Sequence, residues 1–169
     1  METLTEDHLI GYNGSPRLIH KHSQIEGEGL FTKDPINKEE FILRLKGNLI
    51  YHQYNPAFSK EGVNWIGIGY QKWVAPWPGD SSLYINHCCE PNVVINTDHV
   101  LIALNEIKAG DELLLDYSST ELDPYWQMKC NCGSFNCRKT IKSFQFLPHY
   151  IQQKYIKYLH PDFSSIYNR

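Results

Sequence analysis

The sequence predicts a mainly β domain with short helices, and three observations carry that reading. Its apolar runs are short and stop at glycine, proline, asparagine or aspartate, as strands do in a folded domain. Sustained helical spacing is confined to the tail. The length, 169 residues, suits one compact domain that buries a core without disulfides.

Taken in order, residues 1–15 are polar, hold Gly11 and Gly14, and are expected to form a loosely held N-terminal arm. Arg17-Leu18-Ile19-His20-Lys21 alternates as a strand does, up to a break at Ser23-Gln24. Gly27 and Gly29 then flank Glu28. Two glycines so spaced let the backbone turn sharply and approach a ligand closely, although a simple strand turn explains them equally well. Glu40 to Gly47 reads as a strand ended by Gly47-Asn48, and Leu49-Ile50-Tyr51 as another. Asn64 to Tyr70 alternates apolar residues with glycine, and Lys72-Trp73-Val74-Ala75 precedes a break at Pro76 to Gly79. The aromatic density of Trp65, Tyr70, Trp73 and Trp77 has two readings: core packing, or a narrow apolar channel for a long alkyl amine.

Asp80-Ser81-Ser82 is the N-cap pattern of a short helical turn. Val93 to Asn96 and His99 to Leu104 flank Thr97-Asp98 as the arms of a β-hairpin. After a turn at Ile107 to Asp111, Glu112 to Tyr117 is an apolar strand ending in a carboxylate and a phenol. Ser119 to Trp126 reads as a linker. In the tail, Leu147, Ile151, Tyr155 and Leu159 recur at helical spacing, with Pro148 in an early-turn position and His160-Pro161 ending the helix.

The net charge of −3 carries no electrostatic footprint for nucleic acid or an anionic membrane, and it leans toward a basic peptide partner. No direct nucleic-acid site and no membrane association are expected. Met1 to Asp7 lack the basic start and apolar core of a secretory signal, and no run approaches the length of a bilayer span. The chain therefore reads as a soluble intracellular protein of the cytoplasm or nucleus, a host cell's nucleus included if the source is a bacterium. Five cysteines, three of them between Cys130 and Cys137, favour metal binding over a disulfide framework.

The densest chemistry lies in Tyr84-Ile85-Asn86-His87-Cys88-Cys89-Glu90-Pro91-Asn92. Amides, an imidazole, thiols and a carboxylate meet there beside a proline that fixes the turn, which marks a binding segment. Downstream, Cys130, Cys132 and Cys137 are spaced so that their thiolates can converge on one zinc ion, with Gly133 and Asn136 allowing the tight turns. Structural zinc takes four protein ligands, so the fourth comes from elsewhere, and Cys88 and Cys89 are the remaining cysteines.

Gly27-Glu28-Gly29, then Asn86-His87 to Pro91-Asn92, then Gly110-Asp111-Glu112-Leu113 with Asp116-Tyr117, then Cys130 to Cys137 follow one another along the chain. Together they resemble the SET-domain protein lysine methyltransferases with a post-SET zinc segment, over roughly residues 16–142. The resemblance implies a fold of several small sheets with a knot-like C-terminal segment. It divides the chain into an arm (1–15), a SET domain (16–120), a post-SET zinc segment (121–142) and a C-terminal helical extension (143–169). It implies S-adenosylmethionine as cofactor, held by Gly27, Glu28, Gly29 and Leu30 with Tyr84, Asn86, His87 and Tyr117. It makes Tyr117 the catalytic tyrosine, gives Zn²⁺ to Cys89, Cys130, Cys132 and Cys137, and assigns Tyr70, Trp73 and Leu115 to a substrate channel. The implied partner is a lysine-containing protein or peptide, histone tails among the candidates. Departures from the family pattern are Leu83 in place of an arginine, Cys88 in place of a serine, Lys139 in place of a glycine, and Leu115 in place of Phe or Tyr. Leu115 leaves room for more than one added methyl group.

A lysine side chain with a pKa of about 10.4 must lose its proton before it accepts a methyl group, and a dry channel beside a sulfonium favours that loss. Tyr117 then orients the amine, so position and not a strong base supplies the chemistry. Two other classes compete. A zinc-stabilised module could bind lysine-containing peptides without turnover, and a zinc hydrolase would need an open metal position that four thiolates close.

Overall fold

The computed structural model describes residues 16–56 and 64–167, so the arm expected over residues 1–15 lies outside them. Short strands form because each apolar run ends at a turn within a few residues. β1 (Leu18–His22) and β2 (Glu28–Thr32) make an antiparallel pair in which Leu18 faces Thr32 and His22 faces Glu28. β4 (Gly47–Tyr51), β6 (Lys72–Pro76) and β5 (Ile66–Gly69) form a three-stranded sheet in that spatial order. β11 (Gln127–Lys129) and β12 (Thr140–Lys142) close a small hairpin around the cysteine-rich turn.

The central sheet positions the site. It comprises β3 (Phe41–Arg44), β7 (Asn86–His87), β8 (Val93–Ile95), β9 (Val100–Ala103) and β10 (Leu114–Leu115), with spatial order β3-β9-β8-β10-β7. β8 and β9 are the hairpin expected around Thr97-Asp98. β10 pairs in parallel with both β7 and β8, which are consecutive in the chain, so the 88–92 loop joining them must cross over β10. That crossing is the knot-like feature of the fold. Main-chain bonds hold it, from Cys88 N to Leu115 O (3.0 Å) and from Asn92 N to Leu114 O (3.1 Å). The Asn92 side chain completes it, accepting from Leu114 N and donating to Glu112 O, each at 2.8 Å.

The strand expected over Glu112 to Tyr117 is shorter than its apolar pattern suggests. Asp116 leaves the ladder to cap a 3-10 turn, Tyr117–Thr120, by accepting from Ser118 N at 3.1 Å. The expected linker after it is a buried segment. Glu121, Leu122 and Asp123 are all buried, and β5 lies so close that a Cβ on Gly67 would fall 1.7 Å from Thr120 O. In contrast, the cap read at Asp80 is present: its carboxylate accepts from Ser82 N at 2.9 Å and opens the turn Ser81–Tyr84.

Apart from a small cluster of Ile141 with the cysteines, the described residues gather two apolar cores. The main one gathers Leu30, Leu43, Val93, Leu101, Leu113 and Leu115 between the sheets. A second joins Val94 and Leu122 to Phe144, Tyr155, Leu159 and Phe163 of the C-terminal segment. That segment is not one helix over the expected span. α1 (His149–Tyr155) ends in a tightened turn, with Tyr158 N bonded to Tyr155 O, and α2 (Pro161–Tyr167) starts afresh. His160 caps α2 through its ring Nδ1, which accepts from Asp162 N at 3.2 Å, and Pro161 takes the first helical position, where no N–H is needed. Among the described residues no helix is long and apolar enough to cross a membrane.

Candidate active site and metal centre

Gly27 lies in the turn between β1 and β2 with φ of 49°, a conformation that favours glycine. A Cβ built there meets no heavy atom within 4 Å, so the loop leaves open space on that side. Gly29 is required for a different reason. A Cβ on it would sit 2.2 Å from Glu112 Oε1. The Asn86 amide clips this loop to the central sheet, with Nδ2 at 3.1 Å from Glu26 O, 3.2 Å from Glu28 O and 2.9 Å from Glu112 Oε1. Ser23 Oγ donates to the other oxygen of Glu112 at 3.0 Å. The glycine loop and Asn86, about 60 positions apart in sequence, are thus joined into one edge.

Tyr84 flanks that edge and stacks on His20 with ring centroids 4.0 Å apart. Leu30 is fully buried in the main core, so any contact it made with a ligand would run through its backbone. His87 is also turned inward. Its Nδ1 accepts from Tyr117 N at 3.1 Å, and its Nε2 lies 3.3 Å from Cys89 Sγ. Burial lowers the His87 pKa to about 4, with Asp116 opposing and Arg138 adding to the shift, and the ring is neutral at physiological pH.

Tyr117 follows directly. Its main chain is bonded to His87, and its phenol donates to Ile85 O at 2.7 Å. Burial, reinforced by the carboxylates of Glu26 and Glu112, pushes the phenol up to about 12, so it stays protonated and serves as a directed hydroxyl. Of the three residues expected to line a channel, Tyr70 and Trp73 share a cluster through Tyr54, whose ring centroid lies 5.2 Å from Tyr70 and 5.6 Å from Trp73. Trp73 also donates from Nε1 to Glu121 Oε2 at 3.2 Å. Leu115 belongs instead to the main core beneath Tyr117.

The five cysteines are free thiols, and four of them converge. Cys130 Sγ lies 3.7 Å from Cys89 Sγ and 3.6 Å from Cys137 Sγ. Four sulfurs bound to zinc at about 2.3 Å would stand about 3.8 Å apart at the corners of a tetrahedron, so the spacing fits. Ligand atoms of His87, Cys89, Cys130 and Cys132 lie within 4.8 Å of one another. The cluster therefore offers a choice of fourth donor, Cys137 or His87, around a shared set of three. Cys88 lies at the margin of this cluster: its sulfur accepts from Glu90 N at 3.4 Å and also interacts with Cys132 and Ser134.

Two residues, Asp116 and Arg138, have roles that the sequence did not assign. Asp116, with no exposure, receives both Nη1 (2.8 Å) and Nη2 (2.6 Å) of Arg138, and Tyr155 OH at 3.1 Å. The signal was slight: an aspartate beside Tyr117 and an arginine following Cys137.

Small sheets crossing at a threaded strand, a glycine loop clipped by an asparagine, a buried tyrosine and a sulfur cluster together define a class. A family model described as SET domain matches residues 27–118, more than half of the chain, and the chain belongs to that family. It is similar to histone-lysine N-methyltransferase 2B of Homo sapiens, 31% identical over 134 aligned positions, with 70% of this chain and 5% of that protein covered. It is also similar to histone-lysine N-methyltransferase SUV39H1-A of Danio rerio, 29% identical over 165 aligned positions, with 73% of this chain and 40% of that protein covered. The chain thus spans less than half the length of either relative. Among solved structures it resembles KRYPTONITE in complex with mCHH DNA, H3(1-15) peptide and SAH, with a TM-score of 0.57, 22% identity, and coverage of 74% of this chain and 29% of that one.

Proposed function

We propose that this chain transfers a methyl group from S-adenosylmethionine to the side-chain amine of a lysine in a protein substrate, histone tails first among the candidates. The observation that carries the reading is the setting of Tyr117. Its protonated phenol is fixed at Ile85 O, and its backbone is bonded to His87, beside the loop that Asn86 clips in place. Names of the relatives support the same reading, as does the SAH and H3 peptide in the KRYPTONITE complex.

The backbone of Gly27, Glu28, Gly29 and Leu30 would receive the cofactor, with Tyr84, Asn86, His87 and Tyr117 around it. S-adenosylmethionine supplies an electrophilic methyl group when bound. Tyr117 orients the incoming amine in line with it, Leu115 supports Tyr117 from the core, and the aromatic cluster of Tyr70 and Trp73 would bound the apolar approach. Exclusion of water there favours the neutral amine, because a charged ammonium loses its solvation. Cys89, Cys130 and Cys132, with Cys137 or His87, would hold zinc and so pin the segment over residues 121–142 to the 88–92 loop. The reaction would take place where the substrate protein resides, in the nucleus for histones.

Titration of the zinc-loaded protein with S-adenosylhomocysteine, followed by a labelled-methyl screen over histones and other basic proteins, tests the reading. Binding with label on lysine supports it. Binding of a lysine peptide without any label transfer would favour a module that holds lysine peptides without turnover.

A further inference from the structure

We propose that Tyr155, outside the matched SET segment, is a positioning residue for Tyr117, so that helix α1 forms part of the support of the active site. The inference rests on the reading of Tyr117 as catalytic. A carboxylate offers about four lone-pair positions. In Asp116 four are filled: Oδ1 by Arg138 Nη2 (2.6 Å) and Ser118 N (3.1 Å), Oδ2 by Arg138 Nη1 (2.8 Å) and Tyr155 OH (3.1 Å). Tyr155 reaches this carboxylate from 39 positions downstream and is itself 3% exposed.

Asp116 in turn caps the 3-10 turn that begins at Tyr117, and Tyr117 N is anchored on its other side by His87. The phenol therefore takes its place from two clamps. Without the Tyr155 hydroxyl, Oδ2 keeps a single donor at a position water does not reach, since Asp116 has no exposure. A buried acceptor left short of partners is costly, and this one regains a partner only by turning. Turning carries it off Ser118 N and releases the cap under Tyr117.

A fluorotyrosine placed at position 117 of the full zinc-loaded chain reports the surroundings of the phenol by fluorine NMR. Tyr155→Phe removes one hydroxyl and keeps the ring in its core. The expected result is a displaced or doubled fluorine signal, with about a tenfold fall in kcat at unchanged KM, since small misplacements of a catalytic group are that expensive. Leu159→Ala loosens the same core without touching Asp116, and is expected to lower Tm while leaving the signal in place. A signal unmoved by Tyr155→Phe, or moved equally by Leu159→Ala, overturns the proposal. Absence of methyl transfer by the unmodified chain would instead overturn the reading of function, and the fluorine comparison would still decide whether Tyr155 positions Tyr117.

Discussion

Arg138 and Asp116 form a two-point ion pair, Nη1 to Oδ2 at 2.8 Å and Nη2 to Oδ1 at 2.6 Å, across 22 positions of sequence. The pair joins the cysteine-rich segment to the turn bearing Tyr117. Arg138 N also donates to Cys89 Sγ at 3.3 Å, so one residue touches both the sulfur cluster and the buried carboxylate.

Removing one partner of such a pair leaves the other charge buried alone. Arg138→Met is therefore expected to cost about 3–5 kcal/mol in urea unfolding of the zinc-loaded chain. A loss below about 1 kcal/mol would mean that the pair does not hold the two segments together.

Lys139 occupies a left-handed conformation, with φ of 65°, and its carbonyl accepts from Cys130 N at 2.7 Å. A lysine there carries a strain that glycine avoids, partly offset by the greater chain entropy glycine loses on folding. Lys139→Gly should raise stability by up to about 1 kcal/mol, read as a higher Tm with methyl transfer unchanged. A lower Tm would contradict this account of the turn.

Cys88 and Cys89 are neighbours, and the proposed zinc site uses only Cys89. Cys89→Ser is expected to lower the zinc content of the purified protein and to loosen residues 127–142, because metal binding and folding are linked in such segments. Cys88→Ser should leave zinc content unchanged. Mass spectrometry under native conditions distinguishes the two, and loss of zinc in Cys88→Ser alone would reverse the assignment.

Glu121 is buried, and burial raises its pKa from 4.5 to about 7 against bonds from Asp123 N, Trp73 and Leu122 N that favour the charged form. A raised carboxyl pKa means that the folded state holds a proton the unfolded state has lost between these values. Its contribution to stability is thus complete below pH 4.5 and is lost as pH rises to about 7, an effect on the order of 3 kcal/mol. Glu121→Gln should flatten the dependence of the urea midpoint on pH in that window. An unaltered slope would place the titration elsewhere.

What could be read from the sequence was local. Short strands, the Asp80 cap, the hairpin around Thr97-Asp98 and the convergent spacing of Cys130, Cys132 and Cys137 depend on neighbours a few positions away, and all are found. What escaped depends on distant partners. The apolar run in Glu112 to Tyr117 looks like an ordinary strand, and only the pairing of β10 with β7 and β8 shows that it is threaded. Glu121 and Asp123 have the composition of a linker, yet packing against Gly67 and Trp73 buries them. The tail keeps its apolar spacing through Leu159, although the hydrogen-bonded helix stops at Tyr155.

The central claim is methyl transfer to lysine with Tyr117 orienting the amine. Its most direct test is intact-mass measurement of a lysine-containing histone peptide incubated with S-adenosylmethionine and either the unmodified chain or Tyr117→Phe. The account predicts added methyl groups with the unmodified chain. It predicts a fall of about a hundredfold or more in rate with Tyr117→Phe, while affinity for S-adenosylhomocysteine is kept. Equal rates from the two proteins would contradict it.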